Sequence, residues 1–321
     1  MKMPPPTPNV EPKRPAANPM LPNAHRFTSV KAVAGHSSIA CKRRSTRLGI
    51  VINRYSVFSL SVVKSSKSML YCGDSEASIM MERIDGRARD ELRPVNISLS
   101  YQAFAEGSTL IELGQTRVLC AVSVESRVPG FLKGEGTGWV TAEYSMLPRS
   151  TYTRTPRNLS PDRTSGRNQE IQRLIGRSLR AVTNLAALGE RTFTVDCDVL
   201  QADGGTRTAA ITGGYVALFQ ALHNLKKQGI FSAIPLKSAV AAISVGIVDR
   251  EKLLDLCYKE DYRAGVDFNV VMTDRNEFVE VQGTAEGKPF SKEAIDDLLV
   301  LAETGINQLF EIQKAALAEL Y

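Results

Sequence analysis

The chain has 321 residues, 43% of them hydrophobic, with 40 Lys plus Arg against 34 Asp plus Glu and a formal net charge of +6. That length and apolar content exclude a disordered or fibrous chain and suit one large or two small domains. No apolar run approaches the roughly 20 residues of a membrane-spanning helix. The charge is unevenly spread: residues 1–73 hold twelve bases and one acid, net +11, which leaves 28 bases and 33 acids, net −5, on residues 74–321. Net charge therefore makes no case for nucleic-acid binding, and only local clusters can do so.

Residues 1–81 crowd prolines at the start (Pro4, Pro5, Pro6, Pro8), repeat serine from Ser29 to Ser68 and nearly lack acids. This is the composition of an organellar transit peptide. Translation starting at Met69, Met80 or Met81 explains it equally well, and on either reading the stretch is expected to be disordered, with 82–321 as the folded domain. Cys41, Cys72, Cys120, Cys197 and Cys257 are scattered without a CxxC pair, which speaks against a zinc site or a disulfide framework and suits a reducing compartment. His25, His36 and His223 are the only histidines, so a His-based triad or a His-ligated metal is set aside.

Along the body, Ser108 to Glu125 alternates apolar and polar residues around Gly114-Gln115 and predicts a β-hairpin. Glu170 to Val182 places Ile171, Leu174, Ile175 and Leu179 on one helical face, with Arg173, Arg177 and Arg180 mostly off it. Thr192 to Leu200 predicts a strand, followed by a Gly-rich turn and a helix over Ala209–Leu225. Further strands are predicted at Val240–Val248, Val266–Met272 and Glu277–Val281, and a closing helix over Lys292–Leu320. The order is that of an α+β domain. A faint internal echo, Ala105-Glu106-Gly107 and Ala285-Glu286-Gly287, is no more than chance allows.

Three groups carry chemistry. Arg149, Arg154, Arg157, Arg163, Arg167, Arg173, Arg177 and Arg180, opposed only by Asp162 and Glu170, make a local +6 in an acidic body. Arginine throughout suits bidentate contact with phosphate oxygens, although a solvated loop and a salt-bridged helix face would also produce it. Gln201 to Gly214 (QADGGTRTAAITGG) joins a strand to a helix; its glycines admit a ligand to the backbone, the helix start favours an anion, and Arg207 adds a fixed charge. It is neither a P-loop nor a dinucleotide fingerprint. Leu253 to Asn269 holds Asp255, Glu260, Asp261 and Asp267, which could bind Mg²⁺ or Mn²⁺ or supply a general acid, or could form an acidic surface turn. Arginines and amides for phosphate, beside acids for a divalent metal, together point to phosphoryl transfer.

These same stretches resemble the ribonuclease PH family: DGRARDELRPV (Asp85–Val95), FLKGEGTGWVTAEYSMLPRST (Phe131–Thr151), EIQRLIGRSLRA (Glu170–Ala181), DCDVLQADGGTRTA (Asp196–Ala209) and VEVQGTAEG (Val279–Gly287). The likeness runs from Asp85 to about Leu317. It implies an α+β ribonuclease PH-like fold of two similar βα halves, assembled as a homo-oligomeric, ring-forming hexamer. The implied activity is phosphorolytic 3′-to-5′ exoribonuclease action on tRNA precursors, with inorganic phosphate as co-substrate, nucleoside diphosphates as products and nucleotide addition as the reverse; rRNA processing is a further implied role. The resemblance places phosphate on Arg167, Gly205, Thr206 and Arg207, a catalytic Mg²⁺ or Mn²⁺ and a general acid at Asp261 and Asp267, and tRNA on Arg149, Arg154 and Arg157. Asn168 stands where the family usually has Thr and Tyr262 where it usually has Ser; neither removes a charged group, so activity is expected to survive, although Tyr262 could narrow the metal site. The rival reading is a non-catalytic RNA-binding ring subunit of an exosome-like assembly. No membrane partner is expected, and the compartment follows from the extension: cytoplasm for a mistaken start, chloroplast or mitochondrion for a transit peptide.

Overall fold

The computed structural model describes residues 83–157 and 166–320. The extension over 1–81, and Asp162 and Arg163 of the arginine cluster, lie outside the described residues. Among the described residues nine strands and four α-helices follow in the order β1 (Val95–Leu99), β2 (Gly107–Leu113), β3 (Thr116–Glu125), β4 (Trp139–Met146), α1 (Gly166–Val182), β5 (Thr192–Gln201), α2 (Thr206–Lys227), β6 (Val240–Val248), β7 (Glu251–Leu254), α3 (Tyr258–Asp261), β8 (Val266–Thr273), β9 (Phe278–Ala285) and α4 (Lys292–Leu317). They form two sheets, β1-β2-β3-β5-β4 and β7-β6-β8-β9. This is the expected α+β arrangement of two βα halves.

The predicted hairpin is β2–β3, turning at Gly114 (φ +57) with Leu113 opposite Thr116. In the first sheet β4 and β5 run parallel, Trp139 opposite Thr192, and α1 is the crossover that a parallel pair requires. The second sheet is antiparallel throughout.

Helix α2 lies at the centre. It packs on β2, β3 and β5 of the first sheet and on β6 of the second, and nearly every residue from Thr206 to Leu225 is buried. A helix enclosed on all sides needs no polar stripe, and its small residues let both layers approach. A Cβ on Gly213 would lie 2.7 Å from Ile111 Cγ2, and one on Gly107 of β2 would lie 2.3 Å from the Ala217 carbonyl oxygen. Helix α4 covers the second sheet with Leu298, Ala302, Ile306 and Leu309. Cys120 and Cys197, distant in sequence, are buried and directly opposed on β3 and β5.

Several expected boundaries move. Helix α2 starts three residues before Ala209, because Gly205 in the left-handed region (φ 64) serves as its N-cap. Helix α1 begins at Gly166, α4 gives way to a 3₁₀ turn at Ala318, and β9 runs on to Ala285. The two Ala-Glu-Gly tripeptides are not equivalent: one leads into β2 at Gly107, the other lies at and beyond the end of β9.

Candidate active site

The β5–α2 turn and the β6–β8 pair open into one cleft of about 510 Å³. Its lining brings together Arg167 from α1, Gly204, Gly205, Thr206 and Arg207 from the start of α2, Ser244 from β6, Asp261 from α3, and Asp267 and Asn269 from β8. All six residues expected to handle phosphate or act in catalysis therefore share one space.

Each position follows from local structure. Gly204 (φ 77) and Gly205 (φ 64) are both left-handed, and a Cβ on Gly204 would stand 2.4 Å from the Leu256 carbonyl oxygen. Only glycine allows the turn to lie this close to the second half. The first-turn amides of α2 have no acceptors within the helix and present partial positive charge at the cleft, reinforced by Arg207. Thr206 is held from behind by a 2.8 Å hydroxyl contact with buried Tyr144, whose own pKa is pushed up by burial. Arg207 is steadied by Gln282 Oε1 at 3.2 Å and lies 3.7 Å from Glu170.

Opposite stand the two carboxylates. Asp267 and Asn269 alternate on β8 and share a face with Ser244, which is paired directly with Asn269 across the β6–β8 ladder. Asp261 ends α3, and its side of the helix opens to the cleft. Both pKa values are raised. For Asp261 the causes are loss of water and then the like charge of Asp267; for Asp267 the main cause is loss of water, partly offset by Arg207. Carboxyls held this way retain a proton more readily than free ones, as a general acid must. Ser244 Oγ is buried without a hydrogen-bond partner among the described residues. Sequence reasoning missed it, since a lone Ser inside an apolar strand gives no signal.

The other two acids of the same stretch have a different task. Asp255 is fully buried and accepts hydrogen bonds from Arg93 N, Nε and Nη2 at 2.8, 2.9 and 2.7 Å. Glu260 takes a bidentate contact from Arg83 Nε and Nη2 at 2.9 and 2.7 Å; burial pushes its pKa up, but these bonds hold it below the usual range. Arg93 also donates to the Asp203 carbonyl, beside the glycine turn. Asp255 and Glu260 are thus corrected from candidate metal ligands to a buried brace that fixes the β5–α2 turn against α3.

The arginine cluster divides as well. Arg177 forms a bidentate pair with Glu280 of β9 at 2.7 and 2.8 Å, and Arg180 stacks 4.3 Å over Trp139 while donating to the Val140 carbonyl. Both are structural rather than free for phosphate. Arg149, Arg154 and Arg157 are exposed on the loop after β4, whose Thr151, Thr153 and Thr155 line the cleft. Arg149 turns back to the Tyr152 carbonyl. Arg157 lies near enough to Asp198 to oppose the burial-driven rise of that carboxyl's pKa. Asn168 is half-buried on the turn that carries Arg167. Tyr262 does not narrow the carboxylate site: it is 81% exposed, and its ring leans toward Tyr258. His223 is far along α2, stacked on Phe219.

A second cleft, about 560 Å³ on the open face of the first sheet, is lined by Glu143, Asp196 and Asp198. Its acidic lining makes it a poorer place for an anion than the glycine-turn cleft, which carries Arg167 and Arg207.

A helix start with free amides and two arginines, sharing one cleft with two carboxylates where two βα halves meet, is the arrangement of an enzyme that works on phosphate esters. Residues 91–222 match the model of the 3′ exoribonuclease family, domain 1, and residues 238–305 match its domain 2. Ribonuclease PH of Dehalococcoides mccartyi strain BAV1 is 62% identical over 234 residues, 73% of this chain and 97% of that protein. Ribonuclease PH of Syntrophomonas wolfei is 58% identical over 237 residues, 74% of this chain and 99% of that protein. Among solved structures, the Archaeoglobus fulgidus exosome with RNA bound to the active site aligns with a TM-score of 0.61 at 22% identity, covering 72% of this chain and 92% of that one. Rice (Oryza sativa) Rrp46 aligns at 0.60 and 20% identity, covering 73% and 100%. These two likenesses concern the fold. The chain belongs to the ribonuclease PH family of 3′ exoribonucleases.

Proposed function

We infer that the 510 Å³ cleft is where this phosphorolytic 3′-to-5′ exoribonuclease acts, with tRNA precursors as the substrate. The observation that carries this is the gathering of Arg167, Gly205, Thr206 and Arg207 with Asp261 and Asp267 in the lining of that one cleft. Inorganic phosphate lies against the α2 start and the two arginines, whose charge offsets the repulsion between two anions. A phosphate oxygen attacks the last phosphodiester phosphorus, the bond to the 3′ oxygen of the penultimate nucleotide breaks, and that oxygen leaves with a proton from Asp261 or Asp267. The products are a nucleoside diphosphate and an RNA one residue shorter with a free 3′ hydroxyl; the reverse step adds a nucleotide.

The oxygen-only donors at Asp261 and Asp267 suit a hard divalent cation. No group of three or more ligating side chains occurs among the described residues. Mg²⁺, which keeps waters and takes substrate phosphate oxygens as ligands, fits such a pair better than a metal needing a full protein cage. When bound, it would neutralise charge developing on the phosphoryl oxygens. Ser244, whose buried hydroxyl has no hydrogen-bond partner among the described residues, offers a further hydroxyl to a bound oxyanion. Arg154 and Arg157, exposed beside the cleft, hold the RNA backbone, and the active form is a homohexameric ring. The intact set of arginines and carboxylates speaks against a non-catalytic ring subunit.

No helix among the described residues is long and apolar enough to cross a membrane. The basic, Ser-rich stretch over 1–81 is a transit peptide to chloroplast or mitochondrion, or else reflects translation from Met69, Met80 or Met81 in the cytoplasm; mass spectrometry of the mature N-terminus separates the two. The activity test is incubation of purified protein with a tRNA bearing extra 3′ nucleotides, with and without phosphate and Mg²⁺. Nucleoside diphosphates released only when both are present are expected. Monophosphates, or shortening indifferent to phosphate, would overturn the proposal.

A further inference from the structure

Tyr152, Tyr258 and Tyr262 stand in a line that begins inside the catalytic cleft and ends outside it. Tyr152 and Tyr258 both line the cleft, and Tyr262 comes next, beyond it. Ring centroids are 6.1 Å apart from Tyr152 to Tyr258 and 6.3 Å from Tyr258 to Tyr262, with planes tilted by 45° and 37°. The three residues are 74%, 45% and 81% exposed, so this group accounts for three of the four tyrosines that stand out as exposed large hydrophobics among the described residues. Packing does not explain them, because a tyrosine serving the core would bury most of its ring.

Two elements hold the line. Tyr258 and Tyr262 project from one side of the short turn that carries Asp261, four residues apart and so neighbours on a helical surface. The Tyr258 amide is tied to Asp203 Oδ1 at 3.2 Å, and the buried Arg83–Glu260 pair fixes the same turn from behind. Tyr152 comes from the loop after β4, which is closed by a Thr155 N to Pro148 O bond of 2.8 Å. The ring spacing is itself informative. Stacked bases repeat about every 3.4 Å, so one base between two rings needs a centroid separation of about 6.8 Å. The observed gaps of 6.1 and 6.3 Å fall about 0.7 and 0.5 Å short of that, with the ring planes tilted.

Resting on the reading of this cleft as a phosphorolytic site, we propose that Tyr152, Tyr258 and Tyr262 form a stacking track for the unpaired bases just upstream of the scissile phosphodiester. Every base offers a π face, so such a track grips single-stranded 3′ ends without regard to sequence. It also sets how many unpaired nucleotides must precede the helical part of the RNA before the terminal phosphodiester can reach Asp261. The rings are positioning residues and take no part in bond making.

The test uses the full chain in phosphate-free buffer, measuring Kd by fluorescence anisotropy for an RNA with a single-stranded 3′ end. A matched RNA lacks the bases of the nucleotides just upstream of the terminal one. Tyr152→Ala and Tyr262→Ala are each expected to weaken binding of the intact RNA by about tenfold, with Phe at either position restoring it. The abasic RNA should bind the parent about tenfold more weakly and lose little more in the Ala variants. Kinetically, KM for RNA rises and KM for phosphate does not follow it. Ala variants that bind both RNAs as the parent does, or an equal loss for both RNAs, would overturn the track. Failure of the activity reading is separate, since it appears in the parent as absence of phosphate-dependent diphosphate release.

Discussion

Replacing Asp255 by Asn isolates the electrostatic part of the buried brace. The residue is fully buried at φ +54, a conformation that Asn tolerates, so the backbone stays unstrained. What changes is that Arg93, 4% exposed, loses the anion meeting its Nε and Nη2 at 2.9 and 2.7 Å, and one of those donors then faces an amide NH₂. Removing one partner of a buried ion pair typically costs about 3–5 kcal/mol. For a unit of this size each kcal/mol moves Tm by about 2–4 °C, so a fall of roughly 6–20 °C is expected. Denaturant and thermal unfolding at fixed protein concentration measure it, since assembly would otherwise shift the midpoint. The double variant Arg93→Met/Asp255→Asn should cost clearly less than the two single changes added together. A single-variant loss within about 1 kcal/mol of the parent, or simple additivity, would refute the brace.

Asp267→Asn is expected to lower turnover by at least about a hundredfold while RNA binding persists. Because the folded-state pKa of Asp267 is raised, the folded state holds the extra proton over that window and stability falls as pH rises through it. At neutral pH the ionised group therefore opposes folding, so the variant should melt no lower than the parent; a lower Tm would contradict the assignment. Gly204→Ala places a Cβ 2.4 Å from the Leu256 carbonyl at φ +77, and should cost about 2 kcal/mol or more in chemical denaturation while raising KM for phosphate. Arg154→Ala should reduce the slope of log Kd against log salt for single-stranded RNA by about 0.7, and an unchanged slope would remove Arg154 from the RNA path.

Much of the site was legible because its parts are short, local motifs. The strand-to-helix turn from Gln201 announces itself through glycines and an arginine, and Asp267 falls on a strand visible from its apolar alternation. What sequence could not separate was Glu260 from Asp261. They are adjacent, yet the short α3 turn sends one inward to Arg83 and the other to the cleft, and only the partner 177 positions away decides which. The arginines between Arg149 and Arg180 posed the same problem: Arg177 and Arg180 look like RNA ligands until Glu280 and Trp139 are placed beside them. Among the elements, β2, β3, α1 and β5 follow from periodicity, and α2 from the Gly-rich turn before it, since a helix buried on all sides has no apolar stripe to read. Strands β1 and β7 are short edge strands, and β4 pairs in parallel with a strand that follows it only after α1. Their existence depends on neighbours that a local window does not contain.

The brace also imposes an order in time. Arg83 meets Glu260 across 177 positions of chain, which at ordinary rates of synthesis is roughly 9–35 s of elongation. During that interval the first sheet, α1 and α2 can already pack, and the glycine turn proposed to hold phosphate emerges with them. Asp261 and Asp267, the arginines' buried counter-ions and the β6 cover for the far side of α2 all arrive later. A ribosome making this protein therefore extrudes the proposed phosphate-side half of the cleft first, and the carboxylate side joins it only when the second half closes the brace.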